Sequence, residues 1–130
     1  MNYQTYYDRT QLMAKHVEEE AFAEALEILH ALLESDISDI DKAIMCHNAA
    51  VVCEKMGLID DMLGWYDTGI DYEAPYYRYM VQEYKAGWLA SNGRQAEGLA
   101  IYESLVEQPY VMEVDRNRFL YNINVLRGGA

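Results

Sequence analysis

Proline is nearly absent from this chain: Pro75 and Pro109 are the only two in 130 residues. Alternating apolar and polar runs joined by hairpin turns are missing as well, which leaves strand-based folds without a signal. No apolar run approaches the roughly 20 residues that a bilayer-spanning helix needs. The opening stretch, MNYQTYYDRTQ, has neither the basic start nor the apolar centre of a secretory signal. With only two cysteines and no framework of spacings, a soluble, cytoplasmic protein in a reducing compartment is expected.

Basic residues are scarce too. Ten Lys and Arg stand against 22 Asp and Glu, for a net charge of −12. The imbalance is uneven: residues 1–75 hold 4 basic and 16 acidic side chains, whereas residues 76–130 hold 6 of each. Such a chain lacks the electrostatic footprint for nucleic acid or anionic lipid, so neither is expected as a partner. The glycine patterns of nucleotide-binding loops, the nucleophile motif GxSxG and the paired histidines of HExxH are all missing. No catalysis, cofactor or metal is therefore expected.

Helical spacing is what the sequence does contain. In AEALEILHALLES, Ala25, Leu26, Leu29, Leu32 and Leu33 recur at steps of three and four, with Glu24, Glu27 and Glu34 off that stripe. KAIMCHNAAVVCEKMG repeats the pattern with Ile44, Met45, Ala49, Val52, Cys53 and Met56. Ser38 followed by Asp41 suits the start of this helix and Gly57 its end. Pro75 suits a first helical turn, and YYRYMVQEYKAGWLASNG after it runs to another stop at Asn92-Gly93. A last helix over roughly 113–127 sets Phe119, Ile123 and Leu126 on one side and places Asp115, Arg116, Arg118 and Asn122 mostly off it. One apolar and one wet face is what the end of a stacked array requires.

These elements repeat. Gly57 and Gly93 lie 36 residues apart, Tyr66 and Tyr102 also 36, and Ala25, Met62 and Gly98 lie 37 and 36 apart. Pro75 and Pro109 follow the two glycines by 18 and 16 residues. Each block thus predicts helix, glycine turn, helix, proline. A lone helical hairpin cannot bury its apolar face, so such units stack. In this the chain resembles the tetratricopeptide repeat family. The shared positions are Ala49-Ala50, Gly57, Tyr66 and Pro75 in one repeat, and Ala86, Gly93, Tyr102 and Pro109 in the next. A first repeat matches through helical pattern and Ala25, with Glu20 where the turn glycine would stand. Other α-solenoid and helical-hairpin folds share these features. The resemblance implies an all-α, right-handed solenoid in a single domain, with repeats at 6–37, 38–74 and 75–110 and a capping helix at 113–127.

Cys46, His47 and Cys53 invite a reading as a metal or thiol site, and helix geometry argues against it. Seven residues apart on one helix, the two sulfurs sit about 10 Å from each other, too far for a disulfide. His47 points about 100° away from Cys46 and cannot join both. Buried core cysteines are the expectation. Asp60-Asp61 suits the acid-favouring start of a second helix. Twelve tyrosines are the most unusual feature, with Tyr76, Tyr77, Tyr79 and Tyr84 crowded into one stretch. Packing between helices and contact with a partner are both open to them, as they are to Trp65 and Trp88.

In the tetratricopeptide family the first helices line a concave groove that holds a peptide or helix of a partner. That resemblance implies a surface of Ile44, His47, Asn48, Val51 and Glu54 in the middle repeat. In the next it implies Met80, Glu83, Tyr84 and Gly87; Tyr7 and Ala14 are weaker counterparts. Asn48 fits one position of the family's carboxylate clamp, but Met80 and Tyr84 stand where bases would be needed. With Glu54 and Glu83 on the surface, a neutral or basic partner segment is expected. Self-association through the repeat ends and the tyrosine-rich helix, as a homodimer with an occluded groove, is the alternative.

Overall fold

A computed structural model describes residues 1–129. The described residues form seven α-helices and no strand. They are α1 (Tyr3–Glu18), α2 (Phe22–Leu33), α3 (Asp39–Lys55), α4 (Ile59–Glu73), α5 (Met80–Ser91), α6 (Gln95–Val106) and α7 (Glu113–Leu126), with a single 3-10 turn at Ala74–Tyr76. No helix among them is long and apolar enough to cross a membrane. The chain packs as two compact units, one ending at Tyr76 and the other beginning at Tyr77.

In the first unit α1 packs on α2, α2 on α3 and α3 on α4. Polar caps start α1 and α3: the Asn2 side chain accepts from the Thr5 N–H at 2.8 Å, and the Ser38 hydroxyl from the Asp41 N–H at 3.1 Å. The core gathers Met13, Leu29, Leu32, Met45, Ala49 and Val52, with Tyr6, Phe22 and Ile44 packed against it. In the second unit α5 packs on α6 and α6 on α7. Its core joins Ala86, Tyr102, Leu105, Val111, Phe119 and Ile123.

One hairpin turn recurs three times. The amide of Ala21 bonds the carbonyl of His16 at 2.7 Å, that of Leu58 bonds Cys53 at 2.9 Å, and that of Arg94 bonds Leu89 at 3.0 Å. Each is the six-to-one closure of a helix whose next residue turns left-handed. That residue is Gly57 (φ +77°) and Gly93 (φ +83°) in two turns, where the missing Cβ removes the steric penalty. In the remaining turn it is Glu20, held at φ +61° without that relief. Immediately afterwards Ala21, Leu58 and Arg94 act as N-caps without any side-chain cap. Their carbonyls accept the first helical bonds from Ala25, Met62 and Gly98, at 3.1, 2.9 and 3.2 Å. The 36- and 37-residue steps of the sequence are thus steps between equivalent hydrogen bonds.

Side-chain volume follows the same step. Five residues past the turn, Ala25, Met62 and Gly98 are all buried; nine past it, so are Leu29, Tyr66 and Tyr102. A Cβ built on Gly98 would lie 2.8 Å from the Ala86 carbonyl oxygen and 3.0 Å from the Ala90 nitrogen. Gly98 is therefore what lets α5 and α6 touch backbone to backbone.

Two sequence expectations need correction. Pro75 does not open α5; it sits in the 3-10 turn that ends α4, and α5 starts only at Met80. The intervening backbone explains this: Tyr77 is left-handed at φ +57° and Tyr79 is non-helical at φ −142°, ψ 19°, so no helix can run through them. The outer face of α7 is mixed rather than wholly polar, with apolar side chains beside exposed Asn117, Arg118 and Asn124. Phe119 and Ile123 are buried as expected, but Val114, Leu120, Tyr121 and Val125 are all exposed. Asp115, Arg116 and Asn122 are instead half-buried.

Candidate partner-binding surface

On α3 the expected surface residues share one stripe: Ile44, His47, Asn48 and Val51 are half-buried and Glu54 is exposed. Ile44 packs against the core of the first unit. The His47 ring lies 6.3 Å from that of Tyr66, and burial pushes its pKa below the ordinary histidine value, so it stays neutral near pH 7. Directly behind this stripe, Cys46 and Cys53 are buried free thiols. Burial raises the Cys46 pKa to about 11. For Cys53 the causes of its upward shift are burial first and the charge of Asp61 second. Both are the opposite of what a reactive thiol requires. The residues that looked like a metal or thiol site thus form the seam between α3 and α4. Among the described residues no three His, Cys, Asp or Glu side chains come together as a metal-binding group.

On α5, Met80 and Tyr84 are 38% and 51% exposed. Gly87 is half-buried, with room for a methyl group 3.7 Å from the Tyr102 hydroxyl. Glu83 is engaged. Its carboxylate takes both arms of Arg118, at 2.8 and 2.9 Å, a two-pronged pairing that fixes both side chains. Arg118 also donates to Asp115 at 2.9 Å and lies 5.3 Å from the Phe119 ring centre. Glu83 therefore anchors α7 to α5, and is not a free charge for steering a basic partner.

Beside Met80 and Glu83 lies an open depression of about 510 Å³, lined also by Tyr77, Tyr79, Tyr110 and Met112. Its aromatic wall is continuous: the ring centres of Tyr77 and Tyr110 lie 5.4 Å apart, and those of Tyr79 and Tyr110 lie 6.2 Å apart. The Tyr79 hydroxyl donates to Asp115 and accepts the Met112 N–H at 3.1 Å. That hydrogen bond, first among the causes, holds the Asp115 carboxyl below the usual carboxylate range. Next to Asp115 on α7, Arg116 donates to the carbonyls of Val106 at 3.0 Å and Gln108 at 2.7 Å. It thereby satisfies acceptors that the end of α6 leaves open.

Tyr110, Met112, Asp115 and Arg118 were not expected in this surface. The single sequence signal for them is the repeat step: Tyr79 and Asp115 are 36 residues apart and Glu83 and Arg118 are 35 apart. The tyrosines divide by position. Tyr66 and Tyr102 are core, whereas Tyr3, Tyr7, Tyr76, Tyr77, Tyr84, Tyr110 and Tyr121 are exposed. Trp65 is half-buried, with its ring 5.3 Å from that of His30. No protein-family model matches the chain, and no curated protein or solved structure shows significant similarity to it.

Proposed function

We propose that the chain is a tetratricopeptide-like, right-handed solenoid of three helix pairs and a final helix, working as a non-catalytic protein-interaction scaffold. The observation that supports the repeat is the same hairpin turn at Glu20, Gly57 and Gly93, with equivalent bonds on either side. A partner's peptide or helix lies along the first helices of the pairs. Ile44, His47, Asn48, Val51 and Glu54 form its surface on α3, and Met80, Glu83, Tyr84 and Gly87 on α5. Affinity comes mainly from Met80 and Tyr84, exposed side chains of the kind that dominate interfaces. The acidic charge of residues 1–75 favours a neutral or basic segment over an acidic one.

Selection of peptides on the purified full chain tests this. Selected peptides should be neutral or basic, and Tyr84→Ala should weaken them at least tenfold while leaving the melting curve unchanged. Peptides indifferent to both Tyr84→Ala and Met80→Ala would remove the groove reading.

A further inference from the structure

We infer that the depression between α2 and α4 is a second docking site, which takes the side chain of an arginine from a basic segment of a partner protein. Both helices pack on α3, and between them lies an open depression of about 470 Å³. Two rings bridge it, His30 of α2 and Trp65 of α4, with centres 5.3 Å apart. Trp65 is half-buried and packs against the core of the first unit, so the part of the indole that lines the depression is held in place before anything binds. Among aromatic side chains, indole attracts cations most strongly.

Gly64 widens the opening for no reason that the fold supplies. It sits inside α4, where glycine is less favourable than alanine, and a Cβ there would meet nothing within 4 Å. The equivalent positions of the other hairpins, 37 residues before and 36 after, hold Glu27 and Ala100. The hairpin therefore has no need of glycine, and its effect here is to keep the space beside Trp65 clear.

Charge selects the occupant. Asp60 and Asp61 line the same depression, which has no Lys or Arg in its wall. Both are exposed, and neither forms a hydrogen bond or ion pair among the described residues. Alone they would be ordinary acids of a helix start; beside an indole and an unfilled space they complete a site for a cation. The surroundings reinforce this, since residues 1–75 carry the whole −12. A metal ion does not suit the pair. Adjacent helical residues diverge by about 100°, so the two carboxylates cannot close on one small ion, and among the described residues no three His, Cys, Asp or Glu side chains form a metal-binding group. A guanidinium does suit it. Its plane stacks on an aromatic ring while donors around its edge reach separate carboxylates, whereas an ammonium is a compact point charge.

A single side chain in an open site binds weakly, with a dissociation constant in roughly the millimolar range. The emission of Trp65, in the full chain with Trp88→Phe and at constant ionic strength, reads the site. A capped Gly-Gly-Arg-Gly-Gly peptide should change that emission saturably. Its lysine counterpart should bind about threefold more weakly or worse. Its citrulline counterpart, which keeps the planar group and loses the charge, should not saturate. Asp60→Asn with Asp61→Asn should weaken the arginine peptide roughly tenfold or more, and Gly64→Leu should abolish its binding by filling the space. Circular dichroism should be unchanged in both variants, because all three positions are exposed. No saturable change with the arginine peptide overturns the proposal. So does a lysine or citrulline peptide that binds equally well, or binding that survives both variants. Tyr84→Ala, which tests the groove on α3 and α5, should leave this titration unchanged, so the two readings fail separately.

Discussion

Replacing Glu20 by glycine should stabilise the protein, although it deletes a side chain and adds flexibility. Glu20 is held at φ +61°, in the turn position that Gly57 and Gly93 occupy in the other hairpins. A non-glycine residue there is strained by about 1–2 kcal/mol. Against this, glycine adds conformational freedom to the unfolded chain, at about 0.5–1 kcal/mol. A second, smaller gain comes from charge: Glu20 follows Glu18 and Glu19 at the negative end of α1, where an added acid costs about 0.3 kcal/mol. The net expectation is about 1 kcal/mol of added stability, or roughly 3–5 °C in Tm for a chain of this size. The assay is urea and thermal unfolding followed by Trp65 fluorescence in a Trp88→Phe background, so that the signal comes from the unit containing Glu20. Glu20→Gln separates the two effects, since it removes the charge and keeps the strain; it should give only the smaller gain. If Glu20→Gly is no more stable than Glu20→Gln, the backbone reasoning is wrong and the turn tolerates a side chain without strain.

Two of the helical glycines, Gly98 and Gly64, should respond in opposite directions. Gly98→Ala forces a methyl group to within 2.8 Å of the Ala86 carbonyl and should cost about 1–3 kcal/mol by overpacking. Gly64→Ala in α4, where nothing lies within 4 Å, should gain about 0.5–1 kcal/mol from helix propensity; both are read by urea unfolding. Arg116→Ala leaves the carbonyls of Val106 and Gln108 without their charged donor, and should cost about 1–3 kcal/mol in the same assay. Cys46, with its pKa raised to about 11 by burial, should resist alkylation at pH 8 in the native protein and react readily in urea. Because its folded pKa lies above the unfolded one, its share of stability is intact below about pH 8.5 and is lost as pH climbs toward 11. A native Cys46 that alkylates as fast as the unfolded chain would return it to the surface.

Much of the helical organisation was legible in local sequence. The absence of strand alternation and the stripes at three and four residues gave an all-helical chain, because a helix must present one apolar face to be buried. Ser38, Gly57 and Gly93 marked helix ends because capping and left-handed turns are decided by a few neighbouring atoms. The 36-residue step located the buried positions of Met62, Gly98, Tyr66 and Tyr102, since equivalent hairpins bury equivalent positions. The seven-residue gap between Cys46 and Cys53 excluded a disulfide for reasons of helix rise alone.

The rest depended on which elements meet. A left-handed glutamate at position 20 is held by the closure of α1 onto α2, which local propensity does not foretell. Tyr77 likewise takes a left-handed backbone that moved the start of α5 to Met80. The partners of Tyr79, Glu83 and Arg116 lie on other elements or in the turn after α6, so their hydrogen bonds exist only once α7 has packed. On α7 the sequence carries two apolar faces. Only packing decided that Phe119 and Ile123 turn inward while Val114, Tyr121 and Val125 stay in water, because periodicity records that a face is apolar and tertiary contact determines which face is covered.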